Sequence, residues 1–116
     1  MGRNVRDWLH VEDHCEAIDL IIHKGQIGEH YNVGGNNEET NLELIKKILV
    51  LFKKSEEMIE YVPDRPGHDM RYSLDNTKIE KELNWYPKMN FEKGIQKTID
   101  WYINNKDWWS KLKNKK

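Results

Sequence analysis

The residue types best suited to chemistry lie in one short run, Asp64-Arg-Pro-Gly-His-Asp-Met-Arg71. Pro66 fixes one backbone dihedral, and Gly67 admits a turn that other residues resist. Such a turn presents Arg65, His68 and Arg71 from a restrained loop. A guanidinium makes paired hydrogen bonds to phosphate oxygens, and an imidazole can bond a hydroxyl. That combination suits a sugar or nucleotide phosphate. The same residues also fit a surface turn whose arginines and aspartates pair with one another. Arg6-Asp-Trp8 adds a further arginine at the mouth of an extended stretch. Two nearby guanidiniums would match the two charges of a diphosphate, each charge-assisted bond contributing about 1.5–3 kcal/mol. An Arg6–Asp7 surface cluster is the plain alternative.

Four further patterns read as structural. Gly34-Gly-Asn-Asn37 lies between a strand-like and a helical segment, as a phosphate loop does. It lacks both the G-x-G-x-x-G spacing and the P-loop Lys-Ser/Thr, so a tight turn is the better reading. Asn41, at the next helix start, still offers its amide or backbone N–H to a ligand. Tyr102 and Lys106 are four apart, which on one helix face would let the lysine lower the tyrosine pKa. No Gly-rich cofactor loop precedes them, and Tyr102 reads as a core or interface aromatic. His10 and His14 could share an ion, but His10 precedes its helix and no third ligand stands nearby. Cys15 lies on an apolar stripe and reads as a small core residue.

These groups need elements to position them. Residues 8–11 read as a short strand or extended lead-in. Val11, Cys15, Ile18, Ile21 and Ile22 recur at three and four residues, a helix stripe running to Lys24. Gly25 would close it as a left-handed C′ residue. Residues 30–33 read as a second strand and 59–62 as a third, ended by Pro63. Thr40 with Glu43 forms a capping-box pattern for a helix carrying Leu42, Ile45, Ile48, Leu49 and Phe52. Asp75 can cap a helix through Leu83. A last helix starts at Asn90 or Phe91 and uses Ile95, Ile99 and Ile103. The expected class is α/β, with short strands and about four helices.

The 116 residues fit one domain with a modest core. Nineteen Lys and Arg balance twenty Asp and Glu, so no global positive field holds a nucleic acid or an anionic membrane. No apolar run suits a transmembrane helix, and the start carries no signal-peptide pattern. A single cysteine permits no internal disulfide. Together these favour a cytoplasmic setting. Residues 110–116 read as a frayed basic tail.

Arg6-Asp-Trp-Leu-His-Val-Glu-Asp-His14, Tyr31-Asn-Val-Gly-Gly35 and Asp64-Arg-Pro-Gly-His-Asp69 have a distinctive order and spacing. Together they resemble the C-terminal part of dTDP-glucose 4,6-dehydratases, within the extended short-chain dehydrogenase/reductase family. Leu83-Asn-Trp-Tyr-Pro87, Phe91-Glu-Lys-Gly94 and Thr98-Ile-Asp-Trp-Tyr102 carry the resemblance along the chain. The resemblance implies that Arg6 and Arg65 contact a nucleotide diphosphate. It puts Asn41 on the nucleotide side and His68 at the ribose, with Asp64, Pro66 and Gly67 shaping the loop.

In that family NAD oxidises the sugar at C4, water is eliminated across C5–C6, and the hydride returns to C6. dTDP-glucose thereby becomes dTDP-4-keto-6-deoxyglucose. The Gly-rich loop, the mid-enzyme Tyr-x-x-x-Lys and the Asp-Glu pair of that chemistry have no counterpart in this chain. The resemblance therefore implies a small substrate-binding lobe over residues 1–116, with the NAD-binding Rossmann core absent. It implies no catalytic, cofactor or metal residues, and no turnover by the chain alone. NAD belongs to the full-length family, and none is expected here. The implied partners are a dTDP-sugar nucleotide and the missing NAD-binding half, the family's dimer helices also being absent. A piece of a UDP-sugar epimerase or decarboxylase, or a stand-alone nucleotide-sugar-binding module, are the alternatives.

Overall fold

The computed structural model describes residues 2–113. Its helices start where local chemistry says they should. Helix α1, Val11–Lys24, follows His10, whose ring nitrogen accepts the Glu12 N–H at 3.2 Å. Helix α2, Asn41–Leu51, opens with the full capping box. Thr40 Oγ1 accepts from Glu43 N at 3.1 Å, and the Glu43 carboxylate accepts from Thr40 N at 2.8 Å. These bonds hold the Glu43 carboxyl below the usual range, the Thr40 backbone bond being the largest cause. Helix α3, Thr77–Leu83, starts after Asn76 rather than Asp75. Asp75 still serves the end, accepting the Thr77 N–H at 2.8 Å. Helix α4, Phe91–Asn104, is capped by Asn90, and α5, Lys106–Lys113, follows one residue after it ends.

Gly25 departs from expectation. It is extended (φ −66°, ψ 151°), not left-handed. A Cβ there would lie 2.5 Å from Ile21 O, so glycine is needed for space rather than for handedness. The tail expected at 110–116 is helical as far as Lys113, and residues 114–116 lie outside the described residues. Among the described residues no helix is long and apolar enough to cross a membrane.

Among the described residues three strands form, none where the apolar runs suggested. They are β1 (Val5–Asp7), β2 (Glu38–Thr40) and β3 (Arg71–Tyr72), in the sheet order β2-β1-β3. β1 pairs antiparallel with β2, Arg6 facing Glu39, and parallel with β3, Arg6 facing Tyr72. The runs at 8–11, 30–33 and 59–62 are not strands. In 30–33, Tyr31 and Val33 pack side chains onto the core while the segment joins no ladder.

The core is small. Ala17, Ile79 and Trp85 are fully buried, with Leu9, Leu20, Ile21, Tyr31, Val33 and Leu83 packed around them. Helix α1 turns inward the face bearing Asp13 and Ala17. Asp13 is buried and accepts the Met89 N–H at 2.8 Å, and the small Ala17 lets α3 approach. That rotation leaves Val11, Ile18 and Ile22 exposed. Cys15, expected in the core, is exposed with them.

Candidate functional site

β1 is the hub of the polar side of the molecule. Successive side chains on an extended backbone alternate between faces, so Asn4, the residue before β1, and Arg6 lie on the same side. Both reach the same oxygen: Asn4 Nδ2 donates to the Asp69 carbonyl at 3.1 Å, and Arg6 Nη1 and Nη2 do so at 3.1 Å each. Arg6 Nη1 also donates to Val5 O at 2.7 Å. A guanidinium has five N–H donors. The end fork is therefore occupied, and Nε–H with one Nη2–H remains on the side edge. Among the described residues neither Arg6 nor Arg65 forms an ion pair. The Arg6–Asp7 cluster does not form: neighbours on a strand face opposite sides, and Asp7 turns inward, its Oδ1 accepting the Asn37 N–H at 2.9 Å and its Oδ2 buried without a partner.

The loop after Pro63 is built as its sequence suggests. His68 N donates to Arg65 O at 3.3 Å across Pro66 and Gly67. Gly67 sits at φ +69°, the positive dihedral that a type II turn requires at that place. Asp64 Oδ1 accepts the Arg65 N–H at 3.0 Å and bonds His68 Nδ1 at 2.6 Å. That bond to His68 is the main cause holding the Asp64 carboxyl below the usual carboxylate range. His68 is the half-buried member of the loop, and Arg65 stands exposed beyond the turn.

Backbone bonds deliver the remaining pieces to β1. Val5 N donates to Met70 O at 2.7 Å, fixing the end of the loop, and Asn41 N donates to Asn4 O at 3.0 Å. The structure thus ties Arg6, Asn41 and the His68-Asp69 segment to one strand. Arg65 belongs to the same loop but makes no side-chain hydrogen bond among the described residues. Arg71 drops out: its guanidinium binds Glu38 through two bonds of 2.6 and 3.0 Å. That pairing lowers the Glu38 pKa and raises that of Arg71.

The Gly34-Gly35 turn offers no phosphate cradle. Asn76 is buried and clasps Gly34 as a second peptide would, accepting its N–H at 2.6 Å and donating to its C=O at 2.7 Å. A Cβ on Gly35 would lie 1.9 Å from Trp8 O, so protein backbone already fills that space. Two of the turn's N–H donors, on Gly34 and Asn37, and the space beside Gly35 are thus taken by the chain itself. Tyr102 and Lys106 fall on different helices, α4 and α5. Tyr102 packs beside Trp101 and Trp109 at ring distances of 5.2 and 6.3 Å. His10 caps α1, and among the described residues no group of three or more His, Cys, Asp or Glu could hold a metal ion.

Sequence reasoning missed Asn4 and Asn76. A polar residue two before Arg6 on a strand was the available signal for the first. The second becomes visible only when Gly34 and Asn76, far apart in sequence, meet.

The model of the GDP-mannose 4,6 dehydratase family matches residues 1–98, and the chain belongs to that family. A dTDP-glucose 4,6-dehydratase of Streptomyces niveus is 50% identical, matching 97% of this chain and 34% of the relative. One from Xanthomonas campestris is 49% identical over 92% of this chain and 33% of its own length. The chain thus spans about a third of the length of the curated relatives it matches. Among solved structures, the Bacillus anthracis dTDP-glucose 4,6-dehydratase in complex with NAD superposes with a TM-score of 0.89 at 53% identity. It covers 96% of this chain and 35% of that one. The Streptomyces venezuelae DesIV dehydratase, with NAD and TYD bound, gives 0.91 at 44% identity, covering 96% and 34%.

Proposed function

We propose that residues 1–116 are the nucleotide-sugar-binding lobe of a dTDP-glucose 4,6-dehydratase, and that this lobe grips the nucleotide diphosphate. The observation that carries this is Arg6. Its end fork is pinned to the Asp69 carbonyl, and its side edge keeps two donors and an uncancelled charge. A guanidinium held in that way meets a phosphate bidentately with little further ordering. Arg65, on the exposed turn, is the second diphosphate contact. Asn41 serves the nucleotide side and His68 the ribose, its ring aimed by Asp64. Relatives with the same lobe bind NAD or TYD in their solved structures, which supports the nucleotide reading. NAD itself is assigned to the longer relatives, and the chain alone takes none and turns over no sugar.

Calorimetric titration of the purified chain with dTDP, UDP and NAD tests this. dTDP is expected to bind saturably and NAD to give no heat. Arg6→Ala should weaken dTDP by about 1.5–3 kcal/mol, roughly tenfold to a hundredfold. NAD binding, dehydration of dTDP-glucose, or dTDP affinity indifferent to Arg6→Ala overturns the proposal. Preference for UDP over dTDP would move the chain to the epimerases and decarboxylases.

A further inference from the structure

We infer that Asn4 is the positioning residue of the diphosphate grip: it fixes the Asp69 carbonyl against which the Arg6 guanidinium is oriented. The inference rests on the diphosphate reading above. Asn4 is one of three buried polar side chains among the described residues, at 3% exposure. Burying a carboxamide costs free energy unless it is bonded, so its place in the fold has to be matched by what it holds. It holds two things. Its side-chain amide donates to Asp69 O, and its backbone carbonyl accepts the Asn41 N–H. Asn4 is therefore where the segments bearing Arg6, Asn41 and His68 meet.

The sharing of one acceptor gives the role its direction. Asp69 O receives one donor from Asn4 and two from Arg6, all at 3.1 Å. Arg6 is half-buried and can swing about its long side chain, whereas Asn4 is enclosed and short. The fixed donor sets where the oxygen lies, and the oxygen sets which edge of the guanidinium is left for a ligand. Without Asn4 the carbonyl is held by Arg6 alone. The Val5–Met70 backbone bond still holds the next residue, but the Asp69 peptide can tilt with the arginine, and the Nε/Nη2 edge loses its fixed aim. Asn4 touches no ligand in this scheme; it acts through Arg6.

A double-mutant cycle on the full chain, read by calorimetry with dTDP as the probe, separates this from a merely structural role. Asn4→Ala and the near-isosteric Asn4→Leu are each expected to weaken dTDP about tenfold. In an Arg6→Ala background Asn4→Leu should add less than twofold, because there is no guanidinium left to aim. A full additional tenfold loss in that background overturns the inference, since it would mean general loosening of the lobe. Unchanged dTDP affinity in folded Asn4→Leu, with Arg6→Ala still weakened, overturns it while leaving the diphosphate reading intact. Normal dTDP binding by Arg6→Ala overturns that reading, and the role of Asn4 with it. Asn4→Leu keeps the branching of the side chain while removing its amide, Asn4→Ala controls for the added bulk, and circular dichroism confirms the fold of each variant. On the same variants, the Arg6 Nη groups should rotate slowly by NMR in the parent chain and faster in Asn4→Leu. Equal rotation rates count against the inference.

Discussion

The two faces of β1 and α1 invert the usual rule about what goes inside. Beside β1, polar side chains are buried: Asn4 and Asn76 are 3% and 2% exposed. On α1, the apolar Val11, Ile18 and Ile22 are 65%, 44% and 73% exposed, while the charged Asp13 is buried. The burial of Asn4 and Asn76 is tolerable because both bond backbone atoms that would otherwise lack a partner, whereas Asp7 Oδ2, Asn37 Nδ2 and Glu39 Oε2 are buried on the same side without one. The apolar stripe has no such compensation and stays in water in this structure. Burial in this lobe therefore follows hydrogen-bond closure on one side and packing against a very small core on the other. Hydrophobicity alone decides neither.

Three experiments break or sharpen that contrast. Trp85 is 1% exposed and sits among Ala17 and Ile79, whereas Ile22 faces solvent. Trp85→Ala is expected to cost about 3–5 kcal/mol and Ile22→Ala no more than about 0.5 kcal/mol, read by urea denaturation. Comparable losses at the two sites would show that the exposed stripe is packed in solution. Next in size is Asn76→Ala, which strips both backbone partners from the enclosed Gly34 and should cost about 3 kcal/mol. A loss below 1 kcal/mol would mean that water replaces the amide and that the polar side is less closed than its bonds suggest.

The smallest effect concerns the exposed loop. Asp64 is held below its unfolded pKa, chiefly by the bond to His68. Its contribution is therefore in full above the unfolded value and is lost as pH falls through the lowered folded one. The Arg65 amide resonance, whose N–H bonds Asp64, should hold steady through the usual carboxylate range on acidification. It should move only below that range. Movement within the range would show that the Asp64–His68 bond does not persist in solution.

The parts of this fold that were legible are those whose causes lie within a few residues. The limits of α1 follow from apolar spacing, whereas its His10 cap came only from the structure. The start of α2 follows from Thr40 and Glu43, and that of α4 from Asn90. The turn at 64–68 is equally local, since Pro66 and Gly67 settle it between them. The strands were not legible. Val5–Asp7, Glu38–Thr40 and Arg71–Tyr72 are two or three residues long and mostly polar, and they are strands only because each has a neighbour. The apolar stretches at 30–33 and 59–62 carried the stronger strand signal, but no ladder forms on them. Cys15 failed for a related reason: periodicity shows that a helix has a stripe, not which way the helix is turned.

The candidate site divides along the same line. Sequence alone singled out Arg6, Asn41, Arg65 and His68 as candidates, by residue type and by the family resemblance, and it determined the stiffness of the turn that carries two of them. Those follow from covalent geometry and from motifs that keep their spacing. Only the tertiary structure decided that Arg71 is engaged by Glu38 and that Arg6 keeps a free edge. It also decided that Asn4 joins the segments and that Asn76 closes the Gly34 turn. Each of these is a bond between groups more than thirty residues apart, and such bonds are fixed by the packing that brings the segments together.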